Sequence, residues 1–172
     1  MKKMLWGLCF FSTIFIACEG ILYASDWSAG IDSKSGEFVY AATVNDSGSL
    51  FGQYCFKSNK SCLYLLAMTV ACNPGNKYPV LVNSDIGSYV LQIYCFDKFK
   101  DGLYRYSFTN FDDIDGIVKR ASRVGFAVPM EGDQFKVIRF SLFGANKALA
   151  EMQGQANKVL FKKVYNRSEE DL

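Results

Sequence analysis

Short apolar blocks alternate with polar joints along most of this chain, and a change in their period divides it. Residues 37–44, rich in Phe, Val, Tyr and Ala, read as a strand, as do 50–56, 62–71, 80–82, 89–96 and 103–108. The joints carry turn chemistry: Asn45-Asp46-Ser47-Gly48, Asn73-Pro74-Gly75-Asn76, residues 83–88 and Asp101-Gly102. Asn, Asp and Gly tolerate the dihedrals that a reversal needs. Strands at this spacing, joined in this way, predict an antiparallel sheet.

At residue 111 the period lengthens. Phe111, Ile114, Ile117, Val118, Ala121 and Val124 follow the three- and four-residue spacing of one helix face, which predicts a helix over 111–124. Asn110 is a suitable N-cap, with Asp112 and Asp113 at the positive end of the dipole. Lys119, Arg120 and Arg123 stand at the other end, and Gly125 is placed to stop the helix. Strand character returns at 126–130 and 135–142, around a Glu131-Gly132-Asp133 turn. A last helix is expected over 145–164, with Ala148, Leu149, Met152, Ala156, Val159 and Leu160 on one face. The expected fold is therefore α+β and β-rich: an antiparallel sandwich or barrel-like sheet, one internal helix and one C-terminal helix.

The N-terminus follows another pattern. Lys2 and Lys3 precede a 13-residue apolar run from Leu5 to Ala17. That length fits a signal-peptide core of about 7–15 residues and falls short of the ~20 that span a bilayer. Cleavage sites offer themselves after Gly20, Ala24 or Ser25; the later two are favoured because a polar stretch begins at Asp26. A signal peptide over 1–25, one globular domain over 26–165 and a polar tail over 166–172 are expected, with 26–36 as a loose leader. A second route stays open, because Phe15-Ile16-Ala17-Cys18 approximates a bacterial lipoprotein signal. Lipidation at Cys18 would be the chain's means of holding a membrane; otherwise Cys9 and Cys18 fill the apolar run.

Four cysteines follow the signal: Cys55, Cys62, Cys72 and Cys95. In an exported chain an even number is the signature of disulfides, here with three possible connectivities. Cys55 and Cys62 bracket a polar segment between two apolar runs, as at the ends of a hairpin. Cys72 and Cys95 each close an apolar run and are placed to join neighbouring strands. The favoured pairing is 55–62 with 72–95. A four-thiolate zinc site would need close CxxC-type pairs, which are missing, as is any histidine.

Composition narrows the chemistry further. Half of the residues are hydrophobic, so the chain has material for a core. A formal charge of +2, with both signs interspersed, offers no concentrated basic face for nucleic acid. Without histidine, Ser–His and Cys–His nucleophiles and the usual neutral-pH base drop out. Asp112, Asp113 and Asp115 are the carboxylates that could hold a cation or do acid–base work, against their plainer use at a helix N-terminus. Lys119, Arg120 and Arg123 are a small basic patch or the wet face of a helix. Tyr104, Tyr106 and Phe108 alternate, so one sheet face is a candidate aromatic surface unless a second layer buries it. No catalytic residue, metal or cofactor is expected.

Two stretches carry a family resemblance. Gly52-Gln53-Tyr54-Cys55 followed by Cys62-Leu63-Tyr64-Leu65 is one; residues 135–142 running into Phe143-Gly144-Ala145-Asn146-Lys147-Ala148-Leu149 is the other. In these the chain resembles the invasion-associated locus B proteins of bacteria, over roughly residues 50–150. The resemblance implies a secreted or periplasmic β-rich domain, no catalytic residues, and a part in host-cell interaction. The expected function is non-enzymatic binding of another protein in the envelope or at the host. The alternative is a carbohydrate- or lipid-binding module with an aromatic sheet face.

Overall fold

The computed structural model describes residues 25–99, 102–130, 132 and 134–168, with side chains of the last helix described as far as 158. The expected signal segment up to residue 24, with Cys9 and Cys18, lies outside the described residues, as do Glu131 and Asp133.

Among the described residues nine strands and two helices follow in chain order. They are β1 (Ser28–Ile31), β2 (Phe38–Val44), β3 (Leu50–Phe56), β4 (Cys62–Met68), β5 (Lys77–Ser84), β6 (Gly87–Lys98) and β7 (Tyr104–Phe108). Then come α1 (Phe111–Arg120), β8 (Arg123–Pro129), β9 (Phe135–Ser141) and α2 (Ala145–Ser168). All strands join one sheet in the order β1-β2-β3-β4-β7-β6-β5-β8-β9, and every pairing is antiparallel. The fold is thus the expected β-rich α+β class.

Four strands separate β3 from β8 in that order. Yet the Phe51 ring of β3 lies 4.9 Å from Phe126 of β8 and 5.5 Å from Phe140 of β9, centroid to centroid. The twisted sheet therefore curls until its two halves face each other, the geometry of a sandwich. Alternation fills the space between: Val39 and Ala41, Tyr64 and Leu66, Val80 and Val82, Phe126 and Val128, Ile138 and Phe140 all point inward and are buried. The ends β1 and β9 are not paired with each other, so the sheet is an open sandwich and not a closed barrel.

Three expectations need correction. Residues 26–36 are not merely a leader: β1 lies within them, and Trp27 is 4% exposed and part of the core. The strand is legible only through its partner, since Gly30 is there to admit the Tyr40 side chain; a Cβ on Gly30 would meet the Tyr40 hydroxyl at 2.7 Å. The internal helix stops at Arg120 with Ala121 extended, and Gly125 sits inside β8 instead of ending a helix. The Asp85 carboxylate intervenes by accepting Ser122 N–H (3.0 Å), Ser122 Oγ–H (2.7 Å) and Arg123 N–H (3.4 Å). Val124, which fits the helical spacing, equally fits the inward phase of β8. Finally, Cys72 does not lie on a strand: β4 ends at Met68, and 69–76 crosses over to β5.

Smaller differences are of extent. The short strand at 80–82 is eight residues long, and α2 carries its helix three residues into the stretch expected as a tail. Helix α1 follows its capping signals, with Asn110 accepting from Asp113 N–H and Ile114, Ile117 and Val118 buried. Gly144, at φ +85°, turns the chain from β9 into α2, whose Ala145, Ala148, Leu149 and Met152 close the core beside β1 and β2.

Candidate functional site

Cys55 is bonded to Cys62 and Cys72 to Cys95. The first pair lies directly across the β3–β4 ladder, the register partners being Cys55 and Cys62 themselves. The second ties the β4–β5 crossover to β6. Gly75 N–H donates to Cys95 O (3.0 Å) and Cys95 N–H to Asn76 O (2.9 Å), while Tyr106 Oη–H donates to Val70 O (2.9 Å). The crossover is thereby held against β6 and β7 by covalent and polar links together.

The acidic cluster divides. Asp113 accepts from the Asn110 side-chain amide at 2.6 Å, as part of the cap. Asp115 accepts from the Tyr64 hydroxyl at 3.0 Å, which clamps α1 onto β4, and from Lys119 Nζ one turn along α1 at 2.6 Å. Burial, and after it the charge of Asp115, push the Tyr64 phenol above the ordinary tyrosine range. Asp112 is exposed. Among the described residues no three acidic, cysteine or histidine side chains converge as a metal site would require.

The basic trio divides too. Lys119 is paired with Asp115, Arg120 donates to Gly116 O (2.9 Å), and Arg123 belongs to β8. There it meets a feature that the sequence does not announce. Val90, Leu81, Ala127 and Val137 are register partners in turn across β6, β5, β8 and β9, forming one row on the face away from the core. Val90 is 74% exposed, Leu81 46% and Val137 44%, with Phe135 at 64% nearby on the same face of β9. Alongside the row, over Gly125, lies a shallow hollow of about 490 Å³ that Leu81, Ala127 and Val137 line on one side and Asn83, Arg123 and Arg139 on the other. The sequence signal for this row is an apolar residue in the polar phase of a strand, as Leu81 stands between inward Val80 and Val82. Only the register shows that four such positions line up.

The second layer buries the alternating aromatics of β7, and other aromatic residues reach an outer face. Tyr106 and Phe108 of β7 are buried in the core. On β2 and β3, however, Phe38, Tyr40, Tyr54 and Phe56 pack together opposite the core, with Tyr40 and Tyr54 stacked at 5.9 Å. Phe99, beneath the Arg105 guanidinium at 4.6 Å, joins Phe38, Tyr40 and Tyr54 around a hollow of about 560 Å³. Burial, and then the neighbouring Tyr40, raise the Tyr54 phenol above its ordinary range.

Fold and cross-links together define a disulfide-bonded, open antiparallel β-sandwich. Among the described residues no helix is long and apolar enough to cross a membrane. The fold is similar to the crystal structure of invasion associated protein B from Bartonella henselae, with a TM-score of 0.51. The match covers 78% of this chain and 95% of that one at 14% identity, which is a likeness of fold. No protein-family model and no curated protein matches the chain.

Proposed function

We propose that this chain is an exported, non-catalytic domain that binds another protein, in the bacterial envelope or at a host surface, through the outer face of β6, β5, β8 and β9. The observation that carries the reading is the in-register row Val90–Leu81–Ala127–Val137. An ordered apolar row on the outside of a sheet has no use in the core and costs solubility, which marks it as a contact surface. Two disulfides support an oxidising compartment, and the Lys2–Ala17 pattern supports export as the way there. A place at the host surface rests on the name of the structurally similar Bartonella protein.

The test is site-specific photo-cross-linking in the native host. A cross-linker at Val90 should give an adduct of one identifiable partner, lost when Leu81→Lys and Val137→Lys are combined. The same group at Val44, an exposed residue on β2, should give none. A folded protein with no adduct at Val90 would overturn the reading.

A second reading has its own observation, the aromatic hollow of Phe38, Tyr40, Tyr54 and Phe99. Aromatic faces stack on sugar rings and hold acyl chains, so this hollow suits a carbohydrate- or lipid-binding module. Tyrosine fluorescence titrated with glycans or short-chain lipids decides it: saturable quenching lost in Tyr40→Ala favours this reading.

A further inference from the structure

We infer that the Cys55–Cys62 bond is a thiol-exchange site, opened by an external thiolate attacking Cys62 Sγ, whereas Cys72–Cys95 is a permanent cross-link. The two disulfides differ in access. Cys62 is exposed and Cys55 is 9% exposed, so the sulfur that a nucleophile reaches first is that of Cys62. In the second pair Cys95 is fully buried and Cys72 is half-buried at the edge of a surface hollow, so its outer cysteine is less open than Cys62, and the 69–76 crossover is held down by the backbone bonds of Cys95 to Gly75 and Asn76.

The surroundings of the first bond also suit exchange. Cys55 and Cys62 line a mostly apolar hollow of about 360 Å³ between the β3–β4 hairpin and α2, together with Val39, Ala156, Lys57 and Lys60. Both lysines come from the hairpin connection and add positive charge around the hollow, the Lys57 ammonium lying on the side of Gly36. Positive charge stabilises the leaving thiolate, and a better leaving group is displaced faster.

The fold can spare the bond. The β3–β4 register is set by Leu50↔Ala67, Phe51↔Leu66, Gly52↔Leu65, Gln53↔Tyr64 and Tyr54↔Leu63, all independent of the sulfurs. Opening it therefore leaves the ladder in place.

The step balances as follows. A thiolate RS⁻ attacks Cys62 Sγ, the S–S bond breaks, and Cys55 leaves as a thiolate that takes a proton from water; the product is the RS–S–Cys62 mixed disulfide. A second RS⁻ attacks the RS sulfur, releases Cys62 and yields RSSR. The protein disulfide is reduced by two electrons and two thiols are oxidised.

The test uses the oxidised mature protein with reduced glutathione as the small-thiol probe and a reduced dithiol oxidoreductase as the protein probe. Samples are quenched by alkylation and mapped by peptide mass spectrometry. Cys62 is expected to carry glutathione, with Cys55 alkylated, at a rate about tenfold or more above any opening of Cys72–Cys95. The circular dichroism of the sheet should not change. Lys57→Glu with Lys60→Glu is expected to slow exchange several-fold, with Lys57→Gln and Lys60→Gln intermediate, while Lys77→Glu in β5 leaves it unchanged. Opening of both bonds together at the rate of unfolding, a first adduct on Cys72 or Cys95, or exchange indifferent to both lysine pairs would overturn the inference. The protein dithiol reacting where glutathione does not would keep the site and assign it to a protein reductant.

Discussion

Trp27 donates its indole N–H to the carbonyl of Ser141 at 2.9 Å, and this bond crosses the seam between the two ends of the sheet. Trp27 immediately precedes β1 and Ser141 ends β9, the two strands that lack a second neighbour. Asn45 adds a parallel link, donating its side-chain amide to Arg139 O at 3.1 Å. Residues 139 and 141 are two apart, so both carbonyls point to the same side of β9, away from β8. Side chains thus satisfy at the seam what a backbone ladder would satisfy in a closed barrel.

Trp27→Phe keeps most of the apolar volume against Phe51 but removes the donor, leaving the Ser141 carbonyl without this partner. A loss of about 1–3 kcal/mol is expected from that carbonyl alone. Urea unfolding measures it as a lower midpoint at unchanged slope. A wild-type midpoint would mean that packing alone holds the seam.

How far the sequence discloses this molecule depends on whether a feature is local. Strand and helix types follow from period, so β2, β3 and the start of α1 stand close to where alternation and capping put them. Cys55 and Cys62 are local in the same sense, at the two ends of a short polar connection. What is invisible is set by partners far along the chain. The brief Ser28–Ile31 strand carries too few apolar residues to be told from a leader, and it exists because β2 offers an edge and Trp27 an anchor. Val124 satisfies two periods at once, and Asp85, 37 residues from Ser122, decides between them. The row through Leu81 needs three registers, none of which can be read from one strand.

The two disulfides should differ in thermodynamic weight as well as in access. Their sequence separations are 23 for Cys72–Cys95 and seven for Cys55–Cys62. Loop-closure entropy then assigns the first about 3.4 kcal/mol and the second about 2.4 kcal/mol. The Cys72→Ala, Cys95→Ala variant is also expected to lose order in the crossover, which should appear as faster amide exchange at Gly75 and Asn76. The Cys55→Ala, Cys62→Ala variant should keep slow exchange in β3 and β4. Equal protection patterns in the two variants would contradict this division.

Gly52 is required by the closeness of β2. A Cβ at this position would lie 2.4 Å from Ala42 Cβ and 2.5 Å from the Ala41 carbonyl oxygen, and the latter is backbone that cannot swing aside. Gly52→Ala is therefore expected to force β2 and β3 apart and destabilise by about 1–3 kcal/mol. Gly132→Ala is the informative contrast: its φ is +74° but no atom of the described residues stands within 4 Å, so only backbone strain of about 1 kcal/mol applies. Thermal unfolding of the two variants should rank Gly52→Ala as the more damaging.

Alkaline pH probes the clamp between Tyr64 and Asp115. Tyr64 is fully buried and Tyr106 is 1% exposed; burial first, then nearby Asp115 for Tyr64 and Tyr78 for Tyr106, raises both phenols above their ordinary value. In the unfolded chain both ionise near pH 10. Below that pH the two states hold the same protons and no stability is lost. Above it the unfolded chain releases protons that the folded chain keeps, so stability falls as pH rises, by about 1.4 kcal/mol per pH unit for each such tyrosine. The phenolate absorbance of these two residues should therefore rise only together with loss of sheet signal, in one steep transition above pH 10. Tyr64→Phe removes one proton-linked term and leaves those of Tyr106 and Tyr54, so its unfolding should be shallower in pH, although loss of the bond to Asp115 lowers its stability at neutral pH by about 1 kcal/mol. Smooth ionisation of every tyrosine near pH 10 with the sheet intact would show that neither phenol is held protonated by the fold.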